Sequence, residues 1–314
     1  MNLTDVKTNS AKAWFLASRP KTLTGAIVPV AIALALAWHD ISSGQVGVAG
    51  SSALPGMSRT FLWWPALLCM LFACMMQIDA NLVNDYYDCA RGIDAEDRLG
   101  PERACSQGWV TMSAMRKALA VVTLLSALIG LPLIYWGGWQ MVIVGVACIV
   151  FCYLYTTLLS GKAMGDILVL VFFGWVPVCT TYFLQTGVIT VDCLLLATGC
   201  GLATDNLLIV NNFRDRDTDK KHGKMTLVTL IGEKATLALF LLLGLAALLL
   251  ALYAIIPANR YLEKLVLFYW FFLLFVWQKM RTIRRGRELN KVLGMTALSI
   301  LLYGITVCLA LLFG

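Results

Sequence analysis

The sequence is 314 residues long, and 60% of its residues are apolar while only 14% are charged. Soluble globular domains carry roughly 25% charged residues, so this composition excludes an ordinary soluble protein and indicates a chain that crosses a membrane several times. The net charge of +7 is distributed over many segments between apolar runs, and no nucleic-acid partner is expected.

Apolar runs long enough to span a bilayer occur nine times in the sequence. A hydrocarbon core about 30 Å thick requires about 20 apolar residues in a helix. We therefore predict an all-α, polytopic membrane protein with a single domain over residues 1–314 and a polar N-terminal segment at residues 1–21. The predicted spans are 22–38, 61–84, 118–136, 139–158, 165–185, 190–211, 233–256, 262–279 and 293–313.

Basic residues divide unevenly between the two sets of connecting segments. If the N-terminus lies in the cytoplasm, all but three of the 25 Lys and Arg residues fall in cytoplasmic segments, and the exceptions are Arg59, Arg260 and Lys264. Cytoplasmic loops of membrane proteins carry an excess of Lys and Arg. The pattern predicts a cytoplasmic N-terminus and cytoplasmic polar loops at 85–117 and 211–232.

Polar residues collect at the end of the second predicted span. Four of them follow one another at spacings of four, three and four residues, on one stripe of a helix: Gln77, Asn81, Asn84 and Asp88. Polar side chains at this depth are costly unless they face a cavity or a partner. The stripe therefore predicts a helix face that lines a polar site. Asp79 lies off the stripe, and a buried structural acid is one interpretation of it.

The same arrangement recurs at the end of the sixth predicted span. Asn211 and Asp215 are four residues apart, as are Asn84 and Asp88, so each copy can direct an amide and a carboxylate from one face of a helix. Both copies follow even-numbered spans and therefore face the same side of the membrane. The repeated pair predicts one shared site between two helix ends.

Acids and bases are mixed around both helix ends, and no Cys or His cluster accompanies them. Oxygen ligands without thiolate or imidazole favour Mg²⁺ over zinc or copper, and Arg side chains bind phosphate oxygens through paired hydrogen bonds. Mg²⁺ is usually held by a few carboxylates together with substrate phosphates. We therefore predict a Mg²⁺ site for a substrate with a diphosphate head and a long apolar tail, such as a polyprenyl diphosphate.

These motifs resemble those of the UbiA superfamily of membrane prenyltransferases, which carry N-x-x-x-D-x-x-x-D at the first site and D-x-x-x-D at the second. Position 92, where the family has its third acid, is Gly, and Asp94 is the nearest acid. The resemblance implies a UbiA-like bundle of about nine helices that encloses a central chamber. The matching residues are Asn84, Asp88, Asp215 and Asp219.

Two further patterns look like one branch of this superfamily, which acts on 1,4-dihydroxy-2-naphthoate in menaquinone synthesis. They are R-P-K-T at 19–22 and R-x-G-P-x-R at 98–103. The Tyr-x-x-x-Lys of 4-hydroxybenzoate enzymes is absent, since Leu159 stands four residues after Tyr155. The resemblance implies transfer of a polyprenyl group from polyprenyl diphosphate to the carboxyl-bearing carbon of 1,4-dihydroxy-2-naphthoate, with loss of CO₂ and diphosphate, in a bacterial cytoplasmic (inner) membrane.

The resemblance also implies roles for individual residues. The implied metal ligands are Asp85, Asp88, Asp94, Asp215 and Asp219. The implied catalytic group is Asn84, Asp88, Tyr155, Asp215 and Asp219. The implied diphosphate contacts are Arg19, Lys21, Arg98, Arg103, Arg214, Lys220 and Lys224. The implied aromatic and prenyl pocket contains Gln77, Asn81, Tyr86, Asn211 and Asn212.

Two alternatives remain open from the sequence. A prenyltransferase with another aromatic acceptor, such as 4-hydroxybenzoate, keeps the same site. A membrane transporter could use the intramembrane acids Asp79 and Asp205 as relay groups. Many transporters contain inverted repeats, whereas the two motif copies here end on the same side, and this disfavours transport.

Overall fold

The computed structural model describes residues 6–46, 60–92, 99–159, 161–255 and 262–313. Nine helices within these ranges are long and apolar enough to cross a membrane, which confirms the predicted all-α architecture. A short helix precedes them. The ten helices are α1 (Ala11–Ala17), α2 (Pro20–Ser42), α3 (Trp63–Ala90), α4 (Met112–Gly137), α5 (Gln140–Leu159), α6 (Gly165–Thr186), α7 (Val191–Lys221), α8 (Leu227–Ile255), α9 (Val266–Ile283) and α10 (Leu289–Leu312).

Two spanning helices extend well past their predicted ends. Helix α3 continues to Ala90 and α7 to Lys221, so the polar motifs lie on helices and not in the predicted loops 85–117 and 211–232. A hydropathy pattern ends a span at its first charged residues, whereas these helical turns remain stable because their charged side chains have polar partners. Helix α8 starts before its predicted span and breaks at Gly232, whose φ is +79°.

Helix α7 is the central element of the bundle. It packs along α8 and also contacts α6 and α10, and side chains such as Leu196 are completely buried. Small residues allow helices in a membrane to approach closely. Gly174 of α6 lies against Gly201 of α7, where a Cβ on Gly174 would stand 2.5 Å from the Ala197 carbonyl oxygen. This crossing holds α6 and α7 together.

Helices α4 and α5 lie at the periphery and expose apolar side chains on their outer surface. Leu124 and Leu128 of α4 and Ile143 of α5 are each more than half exposed. In water such a surface would be unfavourable, whereas acyl chains solvate it well. The protein is therefore a multi-pass membrane protein with α4 and α5 facing lipid.

The polar N-terminal segment packs against the chain that follows α3. The Asn9 amide donates to the Trp109 carbonyl at 2.7 Å, and the Thr8 hydroxyl donates to the Gly108 carbonyl at 3.1 Å. These contacts place α1 beside the segment that leaves the first motif. The N-terminal segment thus helps to position that part of the site.

Asp79 is a buried acid that joins three helices. It is completely buried, and the Thr123 hydroxyl of α4 donates to its carboxylate at 2.8 Å. Thr123 also shares a 2.8 Å hydrogen bond with the Tyr153 hydroxyl of α5. These contacts support the interpretation of Asp79 as a structural acid.

Candidate active site

A chamber of about 1150 Å³ lies between helices α2 to α7, as the resemblance implied. Most of its wall is apolar and includes Phe72, Ile149 and Phe172. The chamber also has a polar end, which is lined by residues from the C-terminal turns of α3 and α7. We call this part the polar end of the chamber, and it consists of Asn84, Asp88, Arg103, Asn211, Arg214, Asp215, Asp219 and Lys224.

Acids and bases alternate at the polar end, and each of three carboxylates contacts one base. Arg214 binds the carboxylate of Asp215 through two hydrogen bonds, of 2.8 and 2.5 Å. Two further pairs are formed, of which the second is a 3.6 Å ion pair: Asp88 with Arg103, and Asp219 with Lys224. The polar end therefore contains equal numbers of negative and positive groups, each held within reach of the chamber.

The first motif is held against the end of α5. Arg103 also donates to the Asn84 carbonyl, while the Thr156 hydroxyl donates to the Asn84 side-chain oxygen. Arg91 donates to the carbonyls of Thr156 and Thr157, at 3.1 and 2.9 Å. These bonds fix the last turn of α5, which carries Tyr155, relative to the first motif.

Asn290, at the start of α10, connects the two motif segments. Its side-chain oxygen accepts a 2.8 Å hydrogen bond from Arg214, and its amide nitrogen donates to the Leu99 carbonyl at 2.8 Å. Arg214 also donates to the Asn211 side chain at 2.8 Å. Asn290 was not predicted, because a single Asn at the start of an apolar helix carries no motif.

The segment after α7 is tied to the segment after α5. The Lys224 amide donates to the Asp219 carbonyl at 2.9 Å, the Ala163 amide donates to the Met225 carbonyl at 2.9 Å, and the Met225 amide donates to the Gly161 carbonyl at 3.3 Å. These backbone bonds place the side chain of Lys224 over the end of the second motif.

Most of the predicted site residues line this one chamber. Asp94 and Arg98 lie outside the described residues, so their predicted roles stay predictions. The predicted residues on the chamber wall are Arg19, Gln77, Asn84, Asp88, Arg103, Tyr155, Asn211, Asn212, Arg214, Asp215, Asp219 and Lys224. The structure thus brings together both motifs and the bases between them.

Asp85 does not line the chamber, contrary to its prediction as a metal ligand. Its side chain is completely buried, and its two carboxylate oxygens accept hydrogen bonds from the amides of Ala104 and Cys105, at 2.8 and 3.0 Å. Residue 85 is one position past Asn84, which turns it about 100° around the helix axis. Its carboxylate therefore holds the segment that carries Arg103.

Four other predicted contacts also lie away from the chamber. Asn81 donates to the Ser18 carbonyl at 2.9 Å and to the Thr22 hydroxyl at 2.8 Å, so it ties α3 to the start of α2. Tyr86 packs edge-to-face on Tyr87 with their ring centres 5.2 Å apart, and two residues past Asn84 it points to the opposite side of α3. The remaining two are exposed and absent from the chamber wall: Lys21 and Lys220.

Several residues on the chamber wall were not predicted. Arg91 and Thr156 belong to the bonds that hold the first motif. His222 lines the chamber although it is exposed. Asp166, the second residue of α6, also lines the chamber, and an acid at the start of an apolar span is a sequence signal that could have identified it.

The acids of the polar end suit a hard cation bound together with phosphate. Among the described residues, no group of three His, Cys, Asp or Glu side chains is placed to hold a metal ion without other ligands. Asp88, Asp215 and Asp219 offer only oxygen, and one Asp219 oxygen is buried without a hydrogen-bond partner in the described part of the chain. Mg²⁺ is typically bound by one or two carboxylates, water and substrate phosphates. The donor set therefore fits Mg²⁺.

Comparisons with known proteins match the chain to one protein family. Residues 26–300 match the model of the UbiA prenyltransferase family. The 1,4-dihydroxy-2-naphthoate octaprenyltransferase of Mycobacterium tuberculosis is 32% identical over 304 residues, which cover 96% of this chain and 97% of that protein. The protein of the same name from Escherichia coli is 33% identical over 243 residues, which cover 74% and 72%.

Solved structures share the fold at low sequence identity. An apo UbiA homolog from Aeropyrum pernix superposes with a TM-score of 0.63 and 15% identity, covering 90% of this chain and 98% of that one. A UbiA homolog from Archaeoglobus fulgidus, bound to GPP and Mg²⁺, gives a TM-score of 0.61 and 14% identity, with coverage of 94% and 99%. On the family match and the identities of its relatives, this chain belongs to the UbiA prenyltransferase family and is a membrane-embedded prenyltransferase.

Proposed function

We propose that this enzyme transfers a polyprenyl group from polyprenyl diphosphate to 1,4-dihydroxy-2-naphthoate and releases diphosphate and CO₂. The observation that carries the proposal is the continuity of an apolar chamber wall with a polar end where three acids alternate with three bases. The acceptor is supported by the names of relatives that share about a third of their residues with this chain.

The charge of the polar end supports diphosphate as the leaving group. Its three acids and three bases cancel, so a diphosphate alone would bring an excess of negative charge. Mg²⁺ bound by one or two of the carboxylates of Asp88, Asp215 and Asp219 together with the diphosphate would supply positive charge that stabilises the departing diphosphate. Arg103 and Lys224, relieved of their carboxylate partners, are then placed to donate hydrogen bonds to phosphate oxygens.

The apolar wall supports the carbon chemistry. The allylic C–O bond of the donor breaks as diphosphate leaves, and the electron-rich ring of the acceptor attacks the allylic carbon through its carboxyl-bearing carbon. The new C–C bond leaves a keto group next to a carbon that carries the carboxylate, so CO₂ departs and its bonding electrons restore the aromatic ring. Apolar side chains such as Phe72 and Phe172 keep water away from the allylic cation that forms as the C–O bond breaks.

We further propose that the polar end faces the cytoplasm of a bacterial cell and that the N-terminus lies on the same side. The excess of Lys and Arg in the segments at this end supports this orientation. A cytoplasmic polar end gives access to a soluble, charged acceptor and to Mg²⁺, while the apolar wall remains within the bilayer.

The test uses the purified full-length enzyme in lipid nanodiscs, with farnesyl diphosphate and 1,4-dihydroxy-2-naphthoate, in the presence of Mg²⁺ or EDTA. The matched variants are Asp215→Asn and Asp217→Asn, because Asp217 lies half a turn away on the same helix and pairs with the exposed Arg285 at 3.6 Å. We expect prenylated product and CO₂ in a 1:1 ratio with Mg²⁺, loss of at least about 100-fold in Asp215→Asn, and nearly normal activity in Asp217→Asn.

The outcomes separate the parts of the proposal. Product with 4-hydroxybenzoate but not with the naphthoate would overturn the acceptor and preserve the donor site. Undiminished turnover in EDTA would overturn the assignment of Mg²⁺. Equal activity in the two Asp variants would overturn the placement of the diphosphate at the polar end.

A further inference from the structure

A second pair of acids lies in the chamber region, apart from the three acids of the polar end. Asp166 is in the first turn of α6 and lines the chamber, and Asp205 of α7 is only 4% exposed. The two carboxyl groups are close enough to interact electrostatically. Each has one buried oxygen without a hydrogen-bond partner among the described residues.

This pair is not explained by the needs of the fold. A buried carboxyl group without a partner is destabilising, and neither acid forms an ion pair with a Lys or Arg in the described ranges. The helix dipole favours a carboxylate in the first turn of α6, which accounts for a charge on Asp166. It does not account for the unbonded oxygen of Asp166 or for the second acid behind it.

Tyr155 connects this pair to the polar end. It lines the chamber and lies within electrostatic range of Asp166, Asp205 and Asp88. Its ring carbon would stand 3.7 Å from a Cβ placed on Gly165, directly before Asp166. Tyr155 is therefore close to Asp166 and within electrostatic range of Asp88, a residue of the proposed diphosphate site.

We propose that Asp166 is the base that accepts the proton of the acceptor hydroxyl next to the reacting carbon. This inference rests on the proposed function. The O–H bond breaks as the C–C bond forms, so the oxygen becomes a keto group and Asp166 holds the proton. After CO₂ leaves, the keto group becomes a phenolate oxygen and takes the same proton back, so no proton is gained or lost in the cycle.

Asp205 acts on this step as a positioning residue. The N-terminus of α6 favours a negative charge on Asp166, and the buried Asp205 lies within electrostatic range of that carboxylate. Asp205 thus influences the position and charge of Asp166, which accepts a hydrogen bond from the hydroxyl group.

The decisive comparison is between Asp166→Asn and Asp192→Asn. Asp192 is also the second residue of a spanning helix and is partly buried, but it lies near Asp40 and His39, away from the chamber wall. We expect Asp166→Asn to lower kcat for prenyl transfer by at least about 100-fold, with farnesyl diphosphate binding unchanged within threefold by calorimetry. Asp192→Asn should retain normal kcat. Equal losses in both variants, or a normal kcat in Asp166→Asn, would overturn the proposal.

A second readout distinguishes a base from a residue that only shapes the chamber. A ring-fluorinated dihydroxynaphthoate has a more acidic hydroxyl group and depends less on a protein base. The ratio of wild-type to Asp166→Asn rate should shrink by about tenfold with this acceptor, whereas an unchanged ratio would assign Asp166 a structural role. If the wild-type enzyme does not prenylate dihydroxynaphthoate at all, the proposed function itself is wrong. The absence of wild-type product distinguishes that result from a failure of the proposal for Asp166.

Discussion

Replacement of Asp85 by Ala distinguishes between two roles for this residue, a metal ligand and an acceptor of two backbone hydrogen bonds. In the structure its carboxylate accepts hydrogen bonds from two amides, of Ala104 and Cys105, in a place with no exposure to solvent. Leaving a buried donor without a partner costs about 1–3 kcal/mol, so Asp85→Ala should lower the free energy of unfolding by roughly 2–6 kcal/mol. Asp85→Asn retains one acceptor oxygen and should lose about half as much.

The assay measures thermal unfolding and the Mg²⁺ dependence of turnover in the same nanodisc preparation. A loss of about 2 kcal/mol or more shifts Tm by at least about 3 °C in a chain of this size. We expect this shift for Asp85→Ala, with reduced kcat but an unchanged Mg²⁺ concentration at half-maximal rate. Asp88→Ala should show the opposite result, a small change in Tm and a large loss of activity. A tenfold higher Mg²⁺ requirement in Asp85→Ala without a change in Tm would refute this reasoning and restore Asp85 as a metal ligand.

Two further predictions concern the contacts that hold the chamber together. Asn290→Ala removes the bridge between Arg214 and Leu99. We expect the KM for polyprenyl diphosphate to rise about tenfold, because a hydrogen bond to a charged group contributes about 1.5–3 kcal/mol. An unchanged KM would show that the bridge does not order the site. Gly174→Ala inserts a methyl group against a backbone carbonyl and should lower the free energy of unfolding by about 1–3 kcal/mol, which a lower Tm would show. The control is Gly145→Ala, whose Cβ meets no atom within 4 Å and which should leave Tm unchanged.

The sequence was sufficient to predict the spans and the two motifs because both depend on local properties. Apolar runs indicate segments that partition into the bilayer, and the spacing of Asn84 and Asp88 indicates that both lie on one face of a helix. Neither signal depends on the rest of the chain. The repeat at Asn211 and Asp215 then required one common site, since both helices end on the same side. The structure places all four residues on one chamber wall.

Helix rotation and contacts between distant segments limited these predictions. Asp85 and Asn81 lie within the same polar stretch as Asn84, and composition does not distinguish an acid that faces a chamber from one that faces two amides of a later segment. The helices also extend beyond their apolar runs, because polar groups of the chamber and of neighbouring segments form the hydrogen bonds and ion pairs that water would otherwise provide.

The sequence by itself determined the membrane-spanning architecture, the paired motifs and the chemistry of carboxylates and bases at their helix ends. Only the tertiary structure decided which acids share the chamber, how Asn290 joins the two motifs, and that Asp166 and Asp205 lie within electrostatic range of Tyr155. The physical reason is that hydrophobicity and helical period act over one or two turns, whereas the environment of a carboxyl group depends on segments that are far apart in the chain.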